Sequence, residues 1–201
     1  MQNGHIWQGP GFYIVAPPKA GSRSIEDWCQ RKAHVNLITR CSENELAKSR
    51  KRDQVFPVYA AWRDPYSRAV AGIYEGLTYH SKLEGKTKEE CISAWLENPS
   101  FVEKHSVKWH TTRLIDQVLG PAPCESFNWF HYSHLNKLPD YINRIHHLSF
   151  LPMKTKNSHG DERDKLFGKD FKKEYPHVDR LIKAFIHNEF MPNTFLDLDK
   201  P

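Results

Sequence analysis

Residues 12–16 (Phe-Tyr-Ile-Val-Ala) form a short apolar run between Gly11 and the pair Pro17-Pro18. A run of that length, closed by turn residues, predicts a strand buried on both faces. Ser22 or Ser24 then stands where a helix would be capped, and Ile25, Trp28 and Cys29 recur at helical spacing. The order is strand, tight loop, helix. Val35 to Thr39 predicts a second strand, Ser42 to Arg52 a polar helical connection, and Val55 to Trp62 a third strand. Pro65 suits a first helical turn, and Tyr66 to Tyr79 continues with helical periodicity.

From Thr87 the pattern turns mostly helical, over Lys88–Glu97, Ser100–His105 and Thr112–Leu119, until Gly120 to Pro123 interrupts it. Phe127 to Tyr132 predicts a strand, Leu135 to Ile145 a helix, Leu148 to Leu151 a short strand and Tyr175 to Asn188 a closing helix. Met153 to Arg163 is polar and contains Gly160, which predicts a loop able to order on a ligand. Alternating strands and helices predict an α/β fold with a mostly parallel central sheet, covered on both faces, and a helix-rich C-terminal half. Without repeats or a linker, residues 1–201 read as one domain.

Composition narrows the function classes. With 201 residues and 39% hydrophobic side chains the chain can bury a core, so disorder is disfavoured as its basis of function. Cys29, Cys41, Cys91 and Cys124 are widely spaced with no CxxC pair, which excludes a zinc ribbon and disfavours a disulfide scaffold. No apolar run approaches the ~20 residues of a membrane span, and residues 1–11 lack a signal-peptide pattern, so a soluble cytoplasmic protein is expected. A net charge of +5 fits anionic partners without choosing among them. The basic run Lys48 to Arg52 reads better as a solvated helix face than as a nucleic-acid contact.

The loop Pro18-Lys19-Ala20-Gly21-Ser22-Arg23-Ser24 carries the most chemistry. A loop that leaves a buried strand and opens a helix turns several backbone N–H groups, and the positive end of the helix dipole, toward one point. Gly21 permits close approach of an anion, Lys19 adds charge, and Ser22 and Ser24 add hydroxyl donors. The pattern is not Walker A, in which Lys follows the second Gly; here Lys19 precedes Gly21. At the end of the third strand Arg63 occupies the rim where open α/β sheets bind ligands, and its guanidinium suits a second phosphate. Arg68, one turn into the next helix, is either a further contact or a salt-bridge partner.

These two strings resemble a known family. Pro18 to Ser24 after a strand resembles the 5′-phosphosulfate loop of sulfotransferases that use 3′-phosphoadenosine 5′-phosphosulfate (PAPS). Trp62-Arg63-Asp64-Pro65-Tyr66-Ser67-Arg68 through Tyr74 is similar to their 3′-phosphate motif. The form is closer to the carbohydrate (Golgi-type) branch, and the resemblance covers Phe12 to Gly76. It implies a P-loop NTPase-like domain and transfer of a sulfuryl group to a hydroxyl or amine, with a glycan as acceptor and no metal required. It further implies that Lys19 and the N–H groups of Ala20 to Ser24 hold the 5′-phosphate and that Arg63 holds the 3′-phosphate, with Ser67 and Arg68 nearby. Lys154, Lys156 and Ser158 fall where the family's C-terminal loop closes over the nucleotide. One position departs: the family's Ser eight residues after the Arg is Ala71 here. One lost charge-assisted hydrogen bond is worth roughly 1.5–3 kcal/mol unless another donor replaces it.

An acceptor hydroxyl needs a general base. The resemblance implies a His or Glu near the end of the strand that precedes the Arg63 strand, where Glu43 is the positional candidate. His80 and His110 are the other candidates, because an ordinary imidazole suits base work near neutral pH. Among 12 His there is no HExxH and no Cys/His quartet, so no metal site is expected. Two other readings fit the loop: a nucleotide-dependent phosphotransferase, and a nucleotide- or anion-binding module without turnover.

Overall fold

In a computed structural model, which describes residues 6–32, 34, 37–42, 45–46, 48, 56–99, 127–155, 160–168, 170–187 and 189–200, strand side chains alternate between two apolar layers. Phe12, Ile14, Tyr59, Ala61 and Phe130 point to one layer, and Tyr13, Val15, Val58, Ala60, Trp62 and Trp129 to the other. This is the period of two expected of strands covered on both faces. The strands are β1 (Ile6–Gly9), β2 (Phe12–Val15), β3 (Thr39–Cys41), β4 (Val58–Trp62) and β5 (Asn128–His131), in the order β3-β1-β2-β4-β5.

The sheet is mixed rather than mostly parallel. β2, β4 and β5 run parallel, whereas β1 is antiparallel to both β2 and β3. The cause lies in Gly9-Pro10-Gly11: Pro10 presets its φ, Gly11 takes φ 81°, and the chain reverses in two residues. The Phe12 ring lies over Gly9, where an added Cβ would come within 2.1 Å of it. The hairpin adds a strand ahead of the one expected at residue 12.

The described residues gather into two compact units. The first comprises residues 6–63, 127–155 and 190–200 and holds the sheet. Against one face pack α1 (Ser22–Cys29) and α4 (Leu138–His146), which bring Ile25, Trp28, Tyr141 and Ile142 to the core. The expected helix at Leu135 begins instead as a 3-10 turn, Tyr132–Lys137, before Pro139 sets the first turn of α4.

The strand expected at Leu148 to Leu151 does not form, because side chains take its backbone groups. Asn143 receives the Phe150 N–H (2.6 Å) and donates to the Phe150 carbonyl (2.9 Å). Trp28 Nε1 donates to the Leu151 carbonyl (2.6 Å), and Arg31 to that of Pro152 (2.9 Å). Of the strand predicted over Val35 to Thr39, Thr39 opens β3 (Thr39–Cys41), while Val35 and Asn36 lie outside the described residues. Residues 45, 46 and 48 of the connection expected from Ser42 are helical, while the helices expected at 100–105 and 112–119 lie outside the described residues.

The second unit comprises residues 64–99, 160–187 and 189 and is helical: α2 (Pro65–Glu84), α3 (Lys88–Glu97), α5 (Gly160–Leu166), α6 (Phe171–Glu174) and α7 (Pro176–Phe185). Asp64 caps α2 by accepting the Ser67 N–H (2.8 Å), and Thr87 with Glu90 forms a reciprocal capping box on α3. Ile73, Leu77, Trp95, Phe171, Val178 and Ile182 share its core. Part of the loop expected over Met153 to Arg163 is the helix α5. Among the described residues no helix is long and apolar enough to cross a membrane.

Candidate functional site

The loop after β2 is a tight turn followed at once by a helix start. The Ala20 N–H donates to the Pro17 carbonyl (3.1 Å), with Pro18 in the first central position and Lys19 in the second at φ 64°. That is the signature of a type II turn, in which the second central position favours Gly or Asn. A lysine in the left-handed region costs about 1–2 kcal/mol and persists only where its surroundings enforce it. Gly21 follows at φ 87°, ψ 15° as the N-cap of α1. Glycine is required there twice over, since a Cβ would also approach Leu135 Cδ2 within 2.5 Å.

The geometry divides the N–H groups that the sequence pooled. Ala20 gives its N–H to the turn, and Ser24 gives its own to the Gly21 carbonyl (3.0 Å). The N–H groups of Gly21, Ser22 and Arg23 stand at the opening of the helix, the end at which a helix can receive an anion. Ala20 and Ser24 are buried, so they shape the loop from beneath; Lys19 and Ser22 are half-buried and Arg23 is exposed.

Arg63 follows β4, whose parallel neighbour β2 feeds the loop, so both lie at the carboxyl ends of adjacent strands. Arg63 is buried at 8% exposure, and its Nη1 donates to the Lys19 carbonyl (3.0 Å). Its Cζ lies 4.7 Å from the centroid of the Tyr132 ring. Arg63 therefore braces the turn that carries Lys19, which the sequence did not anticipate. Tyr132 was legible only as the end of a strand, because nothing in its spacing links it to Arg63. At the same rim, His131 pairs with Trp62 across β4 and β5, and its Nδ1 caps the 3-10 turn through the Ser133 N–H (3.3 Å) and Oγ (2.7 Å).

Lys154 is exposed and follows the segment held by Trp28, Arg31 and Asn143. His34 adds a further hold: Nδ1 contacts the Trp28 carbonyl (3.0 Å), and Nε2 accepts the Leu151 N–H (3.2 Å). A ring that accepts at Nε2 and donates at Nδ1 is neutral. Burial, and next the Arg31 charge, hold His34 below its ordinary pKa.

Ser67 and Arg68 belong to the helical unit. Arg68 is 1% exposed and pairs with Glu189 at 2.7 Å. Of the two readings its position allowed, the structure shows the ion pair. Ser67 lends its N–H to the Asp64 cap. Ala71, the position of departure, is buried in α2 at 8% exposure. His80 lies on α2, whereas Glu43, His110, Lys156 and Ser158 lie outside the described residues. Among the described residues no group of three His, Cys, Asp or Glu side chains is arranged to hold a metal.

No family model, no curated protein and no solved structure matches this chain.

Proposed function

We propose that the chain is a PAPS-dependent sulfotransferase on a P-loop NTPase-like α/β scaffold, acting on a hydroxyl or amine, with a carbohydrate as the acceptor. The observation that carries this reading is the joint placement of Lys19 and Arg63. A cation in a strained turn and a buried guanidinium stand at the carboxyl ends of adjacent parallel strands, tied by the bond from Arg63 to the Lys19 carbonyl. Such a rim is where open α/β sheets hold nucleotides, and strain kept at one residue is a mark of a functional turn.

In this scheme the N–H groups of Gly21 to Arg23 receive the 5′-phosphate, and Lys19 neutralises charge on the bridging oxygen as it leaves. The acceptor oxygen forms a bond to sulfur while the bond from sulfur to the phosphate oxygen breaks. The acceptor proton passes to a base drawn from Glu43, His80 and His110, and the products are the sulfated acceptor and 3′-phosphoadenosine 5′-phosphate. Charge moves onto oxygens that fixed donors already face, so positioning and electrostatics supply the catalysis. Arg63 is assigned the 3′-phosphate.

Calorimetric titration with 3′-phosphoadenosine 5′-phosphate, beside ATP and without metal, tests the reading. Micromolar binding of the bisphosphate, weak binding of ATP, and a clear loss in Lys19→Ala are expected. Binding of ATP with Mg²⁺ in place of the bisphosphate would favour a phosphotransferase. Bisphosphate binding without turnover of PAPS would leave a binding module.

A further inference from the structure

The 3-10 turn Tyr132–Lys137 meets the anion loop at two points. Tyr132 lies against the Arg63 guanidinium, 4.7 Å from Cζ to ring centroid, and Arg63 donates to the Lys19 carbonyl at 3.0 Å. Three residues on, Leu135 fills the space beside Gly21, where even a methyl group would come within 2.5 Å of Cδ2. The two left-handed residues of the loop, Lys19 and Gly21, are thus each backed from this one short element. The element is itself fixed to the sheet, because His131 pairs with Trp62 and accepts the Ser133 N–H.

We infer that Tyr132 is a positioning residue for the anion loop: its ring fixes the plane of the Arg63 guanidinium, and Arg63 holds Lys19 in its left-handed turn. An aromatic face attracts the cation from the side and leaves the in-plane N–H donors directed at oxygen acceptors. The Lys19 carbonyl is such an acceptor, and a bond to it opposes relaxation of φ to negative values. Free Lys19 from Arg63 and the turn would open, scattering the N–H groups that follow it. Tyr132 acts through Arg63 and touches no ligand itself. The inference draws only the identity of the ligand from the sulfotransferase reading.

Hydrogen exchange of the ligand-free protein tests it first. In Tyr132→Leu the Ala20 amide, bonded to Pro17, should exchange roughly twofold to fivefold faster, the range a cation–π contact allows. Amides of α4 should keep their wild-type rates, and Tyr132→Phe, which retains the ring, should restore Ala20. Titration with 3′-phosphoadenosine 5′-phosphate supplies the second arm: Tyr132→Leu should weaken binding by a similar factor. The double variant Arg63→Ala/Tyr132→Leu should bind no more weakly than Arg63→Ala. Unchanged exchange at Ala20, failure of Phe to restore it, or additive losses in the double variant would overturn the inference. If the wild type binds no bisphosphate, the sulfotransferase reading falls, while the exchange arm still decides the role of Tyr132.

Discussion

Arg68 and Glu189 form an ion pair at 2.7 Å with side-chain exposures of 1% and 3%. Charges withdrawn so far from water are held by each other, and removing one strands the other. Arg68→Met should therefore cost about 3–5 kcal/mol in urea denaturation. Arg68→Met/Glu189→Leu should recover most of that loss. A single variant costing less than about 1 kcal/mol would mean the pair is hydrated in solution.

Lys19 allows charge and strain to be separated. Lys19→Gly relieves φ 64° but makes the unfolded chain freer, so stability should rise by about 0.5–1 kcal/mol. Lys19→Ala keeps the strain and should leave the thermal midpoint near the wild-type value. Both should weaken bisphosphate binding by roughly tenfold to a hundredfold, through loss of a charge-assisted contact. Parallel melting and titration of the two variants distinguish the effects; equal affinity for all three proteins would remove Lys19 from the site.

The neutral His34 ring makes the fold acid-sensitive. Its folded pKa is lowered, by burial first and then by Arg31, so below the ordinary value of about 6.5 the unfolded chain binds more protons. Its contribution is complete above that value and declines as pH falls toward the folded pKa, where the Leu151 N–H loses its acceptor. His146, also lowered by burial and by His147, acts with the same sign. Urea midpoints between pH 7.5 and 5 should fall more steeply for the wild type than for His34→Gln. Parallel slopes would count against the assignment.

Cys41 should be slow to alkylate. Burial, with Glu45 adding to it, pushes its thiol up to about 11 from 9.0. A rise of that size leaves about a hundredfold less thiolate at neutral pH. Burial raises Cys29 in the same direction. Iodoacetamide labelling at pH 8, mapped by mass spectrometry, should leave both untouched until denaturant is added. Rapid native labelling of Cys41 would show that β3 opens readily.

Local pattern carried part of the architecture and missed what depends on remote partners. The run at Phe12 and the Pro65 helix were readable because burial and capping leave their trace in neighbouring residues. Phe150 and Leu151 have strand-like side chains, yet their backbone is bound by Asn143, Trp28 and His34, up to 123 residues away. β1 was signalled only by Gly-Pro-Gly between Trp7 and Phe12, a turn cue that outweighs weak alternation. At the site, Lys19, Gly21 and Arg63 stood out by type and spacing. The contact of Tyr132 with Arg63 did not, because it joins residues that follow two different strands. Nor does any sequence rule announce a positive φ at a lysine.

The interleaving of the two units imposes an order on synthesis. All described residues of the helical unit leave the ribosome before residues 190–200, yet Leu198 belongs to the core beneath the sheet, and the Leu196 N–H bonds the Trp129 carbonyl at 2.6 Å. The unit begun first is thus the last to be completed. Until its final stretch arrives, the nascent chain carries Phe130, Leu138 and Ile142 without Leu198 on one face of the sheet, and Trp129 without Phe190 on the other, a waiting state in which a holdase chaperone would find its client.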